Sequence, residues 1–434
     1  MNNIRQRSKI FLLFFIFTMT VSALLQFVVL PFLVPNIHGG DGLLKDSDSQ
    51  TFHNFAVNYS TYLRDNGPRC WKLSPDPDTN LQPAALAAIV YYYTVPKPWV
   101  LIPINAFLHA CAGLVLYLLI YRISRSNNSP FFAASCFISF PSAMAWYAQL
   151  HRDGIFILGC FFCLYGILLF LDEGGMESFS KKFSAFCIYI LGVVMVYITR
   201  DYAIYLVFGT TIGWFGLLLI VYFWKNRKLL PSKVFFYVAA FLVVLIGMLL
   251  LIDWEKYSAP KDSAKHANWE YSPIVPDSAE RVLQYVADRR QLFFAIHPDA
   301  GTNVDSDYQF NSVWKVLIYI PKAYCNVYIA PYPSMWFKDA VKVGGGLQRK
   351  VAAIEMFLSY IFFIGIPIAL WAFWNRREVW LLLWYSLAMS LFLGLAVPNI
   401  GSLYRIRYGF FMIMLSLGVI GWAILIKRYK RESS

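Results

Sequence analysis

Charged and polar side chains gather in four short segments, each beside a long apolar run of the sequence. The segments are an acidic stretch, a His-Arg-Asp triplet, an Arg-Asp pair and an arginine-bearing turn: Asp46, Asp48 and His53; His151, Arg152 and Asp153; Arg200 and Asp201; and Asn399, Tyr404, Arg405 and Arg407. A carboxylate can take a proton from a hydroxyl group, and guanidinium groups bind phosphate. Together the four segments therefore predict one polar site for a phosphorylated substrate.

The acidic stretch follows the first apolar run of the chain. A helix that begins near Asp48 or Ser49 would place Phe52 and Ala56 on one face. One interpretation of Asp46 and Asp48 is that they only cap this helix, as aspartate often does. A second is that one of them is a general base, and a third is that the Asp-x-Asp pair holds a divalent cation. The residues alone leave these alternatives open.

The arginine-bearing turn has the clearest chemical meaning. Arg405 and Arg407 lie two positions apart beside a Gly-Ser turn, and forked guanidinium groups suit a phosphate held at headgroup depth. Ordinary anionic lipid headgroups are the competing ligand. The other two segments also have simpler interpretations, because tight turns need polar residues and because Arg200 and Asp201 could pair with each other.

Composition indicates what must position these segments. Of the 434 residues, 58% are hydrophobic and 15% are charged, and the mean hydropathy is +0.51. Soluble domains carry roughly 25% charged residues. The net charge of +13 comes mostly from short loops between apolar runs, which is typical of membrane topology signals and argues against nucleic-acid binding.

Ten apolar runs are long enough to cross a bilayer as helices. They cover residues 10–34, 98–121, 130–150, 153–171, 183–199, 202–224, 234–252, 351–374, 379–397 and 408–426. The sequence therefore predicts an all-α polytopic membrane protein with about ten transmembrane helices. If the runs alternate in direction, the basic loops such as Arg376-Arg377 lie on one side and the four polar segments on the other. We expect an inner (plasma) membrane protein with both termini cytoplasmic and a periplasmic or extracellular active face.

Two long extracytoplasmic segments complete the single bundle of residues 1–434. The first, residues 35–97, includes the short apolar stretch Leu81–Tyr93, which predicts an interfacial helix. The second, residues 253–350, lies between spans 7 and 8 and includes Val313–Ile329, which we expect to be interfacial or re-entrant. Cys70 and Cys325 lie in these two segments on the same expected side, so the sequence leaves a disulfide between them open.

The order of these motifs resembles the GT-C superfamily of membrane glycosyltransferases, which use polyprenyl-phosphate-linked sugars, and in particular its bacterial family 39. The resemblance covers most of the chain and runs through Asp48-Ser-Gln-Thr-Phe-His-Asn-Phe-Ala56, Asn105, Pro141-Ser142, Arg152-Asp153 and Asn399-Ile-Gly-Ser-Leu-Tyr-Arg-Ile-Arg407. Many relatives carry Asp-Glu in the first loop, whereas this chain has Asp46-Ser-Asp48. The base therefore stays open between two residues, and the spacing to Phe52 and Ala56 favours Asp48.

The resemblance implies transfer of a sugar from a polyprenyl-phosphate carrier to an extracytoplasmic acceptor, which could be a surface glycan, a lipid or a protein, with inversion at the anomeric carbon. Asp48, or else Asp46, would be the catalytic base. The remaining polar residues would bind substrate: His53, His151, Arg152, Asp153, Arg200, Asp201, Asn399, Tyr404, Arg405 and Arg407. Donor, acceptor and membrane lipids are the expected partners. The resemblance implies no certain cofactor, and a divalent cation stays open.

Two other functions fit the same features. A polymerase of O-antigen or capsule repeat units is also multi-spanning and uses arginines to hold a lipid pyrophosphate. A transporter of lipid-linked glycans would instead carry charges inside its spans and show inverted repeats, and we find no repeat in the sequence. The acidic motif of the first loop favours the transferase.

Overall fold

A computed structural model describes most of the chain. It covers residues 2–75, 81–171, 179–226, 238–239, 241–243, 245, 247, 269–296, 298, 300–338 and 345–432. These residues are predominantly helical, and they contain isolated β-bridges but no strand.

Sixteen helices are described, and we number them in chain order. They are α1 (Asn2–Leu24), α2 (Asp48–Asn66), α3 (Gln82–Tyr93), α4 (Ile102–Ser124), α5 (Asn128–Ser139), α6 (Pro141–Tyr147), α7 (Asp153–Phe170), α8 (Phe179–Thr199), α9 (Ala203–Asn226), α10 (Asp277–Ile296), α11 (Val313–Tyr328), α12 (Gly345–Phe363), α13 (Ile366–Ala372), α14 (Arg377–Ala396), α15 (Ile400–Ile406) and α16 (Tyr408–Glu432). The helix α1 continues as a π-helical segment, Leu25–Leu33, around Pro31.

Eight helical stretches in the described part of the chain are long and apolar enough to cross a membrane. They are Ile4–Leu33, Pro98–Ser124, Asp153–Phe170, Phe179–Thr199, Ala203–Trp224, Gly345–Ala372, Arg377–Ala396 and Tyr408–Lys430. This finding confirms an all-α, multi-pass membrane protein. Each of the eight overlaps one of the ten predicted runs, and the count of ten stays a prediction.

The predicted run 130–150 is not one continuous helix. It forms α5 and α6, which are separated at Phe140, where the backbone is extended (φ −60°, ψ 120°). The residue before a proline is driven away from helical backbone angles, and proline itself suits the first turn of a new helix. Pro141 therefore ends one helix and begins the next. The predicted run 234–252 lies largely outside the described residues.

The first long segment folds as a helical pair. The predicted helix near Asp48 is present as α2, with Phe52 and Ala56 buried, and α3 occupies the apolar stretch that ends at Tyr93. The two helices pack against each other around a small apolar core that includes Leu63 and Tyr91.

The second long segment contains α10 and α11. The helix α11 packs against α14, and the Tyr328 hydroxyl is 2.9 Å from Ser386 Oγ and 2.8 Å from Ser390 Oγ. Ala323 in α11 lies beside Gly394 near the end of α14. The two helices are thus antiparallel, and α11 ends level with the middle of α14. Cys325 and Cys70 are both free thiols, so the disulfide that the sequence left open is not formed.

One end of the bundle collects the ends or starts of several apolar helices. The end of α8 and the starts of α7, α9 and α16 meet there, and the start of α2 lies over them through the contact of Asp48 with Arg405. We call this the site end. The helical hairpins place Arg122, Lys182 and Arg376 at the opposite end.

Candidate functional site: an ion network at one end of the bundle

The contact between Asp48 and Arg405 joins the first long segment to the short helix α15, which precedes α16. Arg405 Nη2 donates to Asp48 Oδ2 across 2.6 Å. Asp48 is the first residue of α2 after Ser47, whose backbone is extended, and a carboxylate is favourable in the first turn of a helix. On the other side, the Asn399 side chain accepts from the Ser402 backbone N–H at 3.1 Å and starts α15, which carries Arg405.

A second carboxylate forms an ion pair with the same guanidinium group. Arg405 Nε lies 3.0 Å from Asp153 Oδ2, and Arg200 Nη2 donates to Asp153 Oδ1 at 2.7 Å. Arg200 also donates to the Tyr202 hydroxyl at 2.9 Å. Asp48, Arg405, Asp153 and Arg200 thus alternate in sign, and we call them the ion network.

The members of the ion network differ sharply in burial. The side chains of Asp153 and Arg200 are 5% and 2% exposed, whereas that of Asp48 is 53% exposed. Removing a charge from water is costly unless the charge is paired. Asp153 and Arg200 therefore form the fixed base of the network, and Asp48 forms its solvent-facing edge.

The surrounding charges keep Asp48 ionised. Burial by itself raises the pKa of Asp48, but the Arg405 guanidinium, with smaller effects from His151 and Arg152, lowers that pKa below its ordinary value. Asp48 is therefore a carboxylate at neutral pH.

The turn before α7 brings two more predicted residues to the network. His151 Nε2 lies 2.7 Å from Ser49 Oγ, and burial, assisted by Arg405, lowers the pKa of His151 to about 4. Repulsion by Arg200, followed by burial, lowers the pKa of Arg152 to about 10. Among the described residues, no hydrogen bond or ion pair is recorded for the Arg152 side chain.

Gln149 fixes the acidic stretch onto this turn. Its side-chain amide donates to Gly42 O at 3.0 Å and accepts from the Leu44 backbone N–H at 3.0 Å. Asn105 on α4 in turn donates to Gln149 O at 2.9 Å. Gly42 has a φ of +76°, which glycine adopts without strain. The segment that precedes Asp48 in the chain is therefore anchored to the turn before α7.

Arg407 is separated from the ion network. Arg407 is 1% exposed, and its guanidinium donates to the carbonyl oxygens of Asn326 and Val327 at the end of α11. It also stacks on Tyr404 and Phe411, 4.7 Å from each ring centre. The carbonyls at a helix C-terminus lack partners within the helix and attract cations. Arg407 thus holds α11 in place, whereas the sequence grouped it with Arg405 as a phosphate ligand.

Glu355 is a polar residue that the sequence interpretation missed. It is 2% exposed on α12 and accepts from Ser142 N at 2.8 Å, Ser142 Oγ at 2.6 Å and the Tyr404 hydroxyl at 2.5 Å. Tyr404 is therefore tied to this buried cluster through its hydroxyl. The signal was a single acidic residue within an otherwise apolar run, and such residues are costly unless they have a role.

The remaining predicted residues lie apart from the ion network or at its margin. Asp46 is exposed and lines an open pocket with His38 and Lys45. The His53 ring lies 3.0 Å from the Tyr91 hydroxyl between α2 and α3, and burial lowers its pKa. Asn399 caps α15 and donates to Asn303 at 2.9 Å. Asp201 accepts from the Tyr202 backbone N–H at 2.9 Å.

Metal-binding potential can be judged from the donor groups. In the described part of the chain, no three His, Cys, Asp or Glu side chains come together. The carboxylate of Asp48 faces Arg405, and Asp46 lines a different pocket. The ion network instead offers an ionised carboxylate beside a guanidinium group, which suits proton removal next to an anionic phosphate.

Fold and site together define a multi-pass membrane protein with a charged, partly buried network at one end of its bundle. Comparison with protein families, with curated proteins and with solved structures finds no match to this chain.

Proposed function

We propose that this protein is an integral membrane glycosyltransferase that moves a sugar from a polyprenyl-phosphate carrier to an extracytoplasmic acceptor. The observation that supports this proposal most directly is the contact between Asp48 and Arg405, which brings a carboxylate and a guanidinium group within 2.6 Å at the site end. Such a pair supplies both groups that the transfer needs. The motif order described above supports the same class.

The reaction is a single displacement at the anomeric carbon. The acceptor oxygen bonds to that carbon while the bond from the carbon to the phosphate oxygen breaks, and the bonding electrons leave with the phosphate. Asp48 takes the proton of the acceptor hydroxyl, an effect worth about 10²–10⁴-fold in rate. Arg405 stabilises the charge that grows on the phosphate, and attack opposite to the leaving group inverts the configuration.

The proposed orientation follows from the charges at the two ends of the bundle. The opposite end carries Arg122, Lys182, Arg376 and Arg377, and cytoplasmic loops are enriched in such residues. We therefore infer cytoplasmic termini, ten crossings and a site end that faces the periplasm or the cell exterior. The segments 35–97 and 253–350 would lie on that face, with α3 at the interface and α11 re-entrant.

A repeat-unit polymerase is the second candidate. The observation in its favour is that Arg152 lies near enough to both Arg200 and Arg405 for their charges to interact, which suits a pyrophosphate more than a monophosphate. The products separate the two functions, because a polymerase joins oligosaccharide blocks and a transferase adds one sugar. A glycan transporter is the third candidate, supported by the helix break between α5 and α6, and it predicts dependence on an ion gradient.

The first prediction concerns the base. Asp48→Asn should lower transfer by about 100-fold or more because the proton acceptor is lost. Cells that lack the protein are complemented with each variant, and mass spectrometry follows lipid-linked sugars and surface glycans. Asp65→Asn, an exposed charge at the far end of the same helix, is the matched control and should restore the glycan fully.

Two outcomes would contradict this assignment. Full transfer by both Asp48→Asn and Asp46→Asn would show that neither carboxylate is the base. Unchanged donor affinity in Arg405→Ala would leave that arginine as a purely structural residue.

A further inference from the structure

The guanidinium of Arg405 has two carboxylate partners that are not equivalent. Its Nη2 edge binds Asp48, whose side chain is 53% exposed, and its Nε edge lies beside Asp153, whose side chain is 5% exposed. Asp153 has a second cation, because Arg200 donates to it at 2.7 Å. The structure thus gives Arg405 one buried partner and one that water can reach.

The geometry points to an exchange of ligands at Arg405: the lipid phosphate binds where the carboxylate of Asp48 now lies. The phosphate binds Arg405 Nη2, and its arrival releases Asp48 to act as the base. This inference rests on the proposed function and goes beyond it by assigning the phosphate subsite and the order of binding.

The chemistry of the two ligands makes the exchange reasonable. A phosphate oxygen accepts from a guanidinium N–H as a carboxylate oxygen does, with similar geometry. Ion pairs that are open to water contribute little because water solvates both partners, so the Asp48 contact is the one that a competing anion can replace. The buried contact between Asp153 and Arg200 would leave an unpaired charge if it broke, and it therefore stays.

Exchange also changes the reactivity of Asp48. While the guanidinium holds it, the pKa of Asp48 lies below its ordinary value, so it is a weak proton acceptor. After release, the facing groups are His151 and Arg152 together with the newly arrived phosphate, whose negative charge favours the protonated form of Asp48. The base thus becomes stronger only after the donor has bound, and donor binding precedes acceptor activation.

The test measures affinity for the phosphate in the absence of transfer. The full chain is placed in phosphatidylcholine nanodiscs, and the dissociation constant of a polyprenyl monophosphate is measured by microscale thermophoresis. Asp48→Asn should bind about two- to fivefold more tightly than the wild type, since an internal competitor worth about one surface ion pair is removed. Asp48→Ser should do the same, and Asp65→Asn, which removes the same formal charge far from Arg405, should bind as the wild type does.

Three further ligands identify what is recognised: a polyprenol without phosphate, phosphatidate and inorganic phosphate. The polyprenol should show no dependence on residue 48. Tightening for phosphatidate or inorganic phosphate equal to that for the polyprenyl phosphate supports the phosphate subsite and counts against a polyprenyl-specific donor.

The outcomes separate this inference from the proposed function. A folded Asp48→Asn variant that loses transfer but binds the polyprenyl phosphate no more tightly than the wild type overturns the exchange and leaves the transferase intact. A wild-type protein that does not bind the polyprenyl phosphate overturns the proposed function itself. Tighter binding in a variant that has lost transfer supports both.

Discussion

At the scale of single residues, Arg405 and Arg407 show how far the sequence can predict a site. Both were expected to hold phosphate because they lie two positions apart on the same expected side. The chain is helical through Ile406, however, and positions i and i+2 of an α-helix differ by about 200°. One guanidinium therefore faces Asp48, and the other turns into the bundle. Residue type suggested the same role for both arginines, but the local backbone decided where each one points.

Replacement of Arg407 should cost stability rather than substrate affinity. Arg407→Leu leaves the carbonyls of Asn326 and Val327 without their donor, and losing hydrogen bonds to a buried charged group costs about 3 kcal/mol. We expect a clear fall in the midpoint of thermal unfolding in detergent. Arg64→Leu is the matched control, since Arg64 donates to the Tyr91 carbonyl from an exposed position, and its midpoint should fall less. Equal shifts in the two variants would contradict a buried structural role for Arg407.

His151 gives the protein a predictable response to acid. Its pKa is about 4 in the folded protein, compared with 6.5 for an unperturbed histidine. Between these values the unfolded chain binds more protons than the folded one, so the free energy of unfolding falls as the pH drops from about 6.5 to about 4. His151→Gln should flatten this dependence. Part of the pH dependence should remain in this variant, because the pKa of His53 is also lowered. Unfolding midpoints at pH 7 and pH 5 measure the effect, and an unchanged difference between them in His151→Gln would refute it.

At the scale of helices, the apolar runs of the sequence predicted where helices lie better than they predicted whether each helix is continuous. The eight described stretches that are long and apolar enough to cross a membrane each overlap a predicted run, because about 20 apolar residues are what a bilayer requires. The break at Phe140 was missed although Pro141 marks it, because hydropathy alone does not register a helix that stops and restarts. Glu355 was missed for a similar reason, since one acidic residue barely changes the average of a long apolar run.

The close packing of α11 against α14 requires a glycine at position 394. A Cβ at Gly394 would lie 2.6 Å from Ala323 O, which belongs to the rigid backbone of α11. Gly394→Ala should therefore force the two helices apart, at a cost of about 1–3 kcal/mol. Gly216→Ala in α9 is the matched control, because no atom lies within 4 Å of its added Cβ and alanine favours helix more than glycine does. Unfolding midpoints should fall for the first variant and stay level or rise for the second; the same result for both would contradict the close approach.

At the scale of the whole molecule, the ion network joins parts of the chain that are far apart in sequence. Asp48 and Arg405 are separated by 357 positions, and Asp153 and Arg200 by 47. Alternation of the spans predicted that all four would share one side of the membrane, and the structure brings them to one end. Their pairing could not be predicted, because it depends on how the helices pack laterally and on the anchoring of the acidic stretch by Gln149.

The long separation within the Asp48–Arg405 contact has a consequence for biosynthesis. During translation, Asp153 and Arg200 can neutralise each other as soon as the hairpin of α7 and α8 has entered the bilayer. Arg405 emerges from the ribosome only after α14. A partly made polypeptide therefore carries its acidic edge unpartnered by Arg405 until α14 and α15 have been made, and the ion network is completed only then.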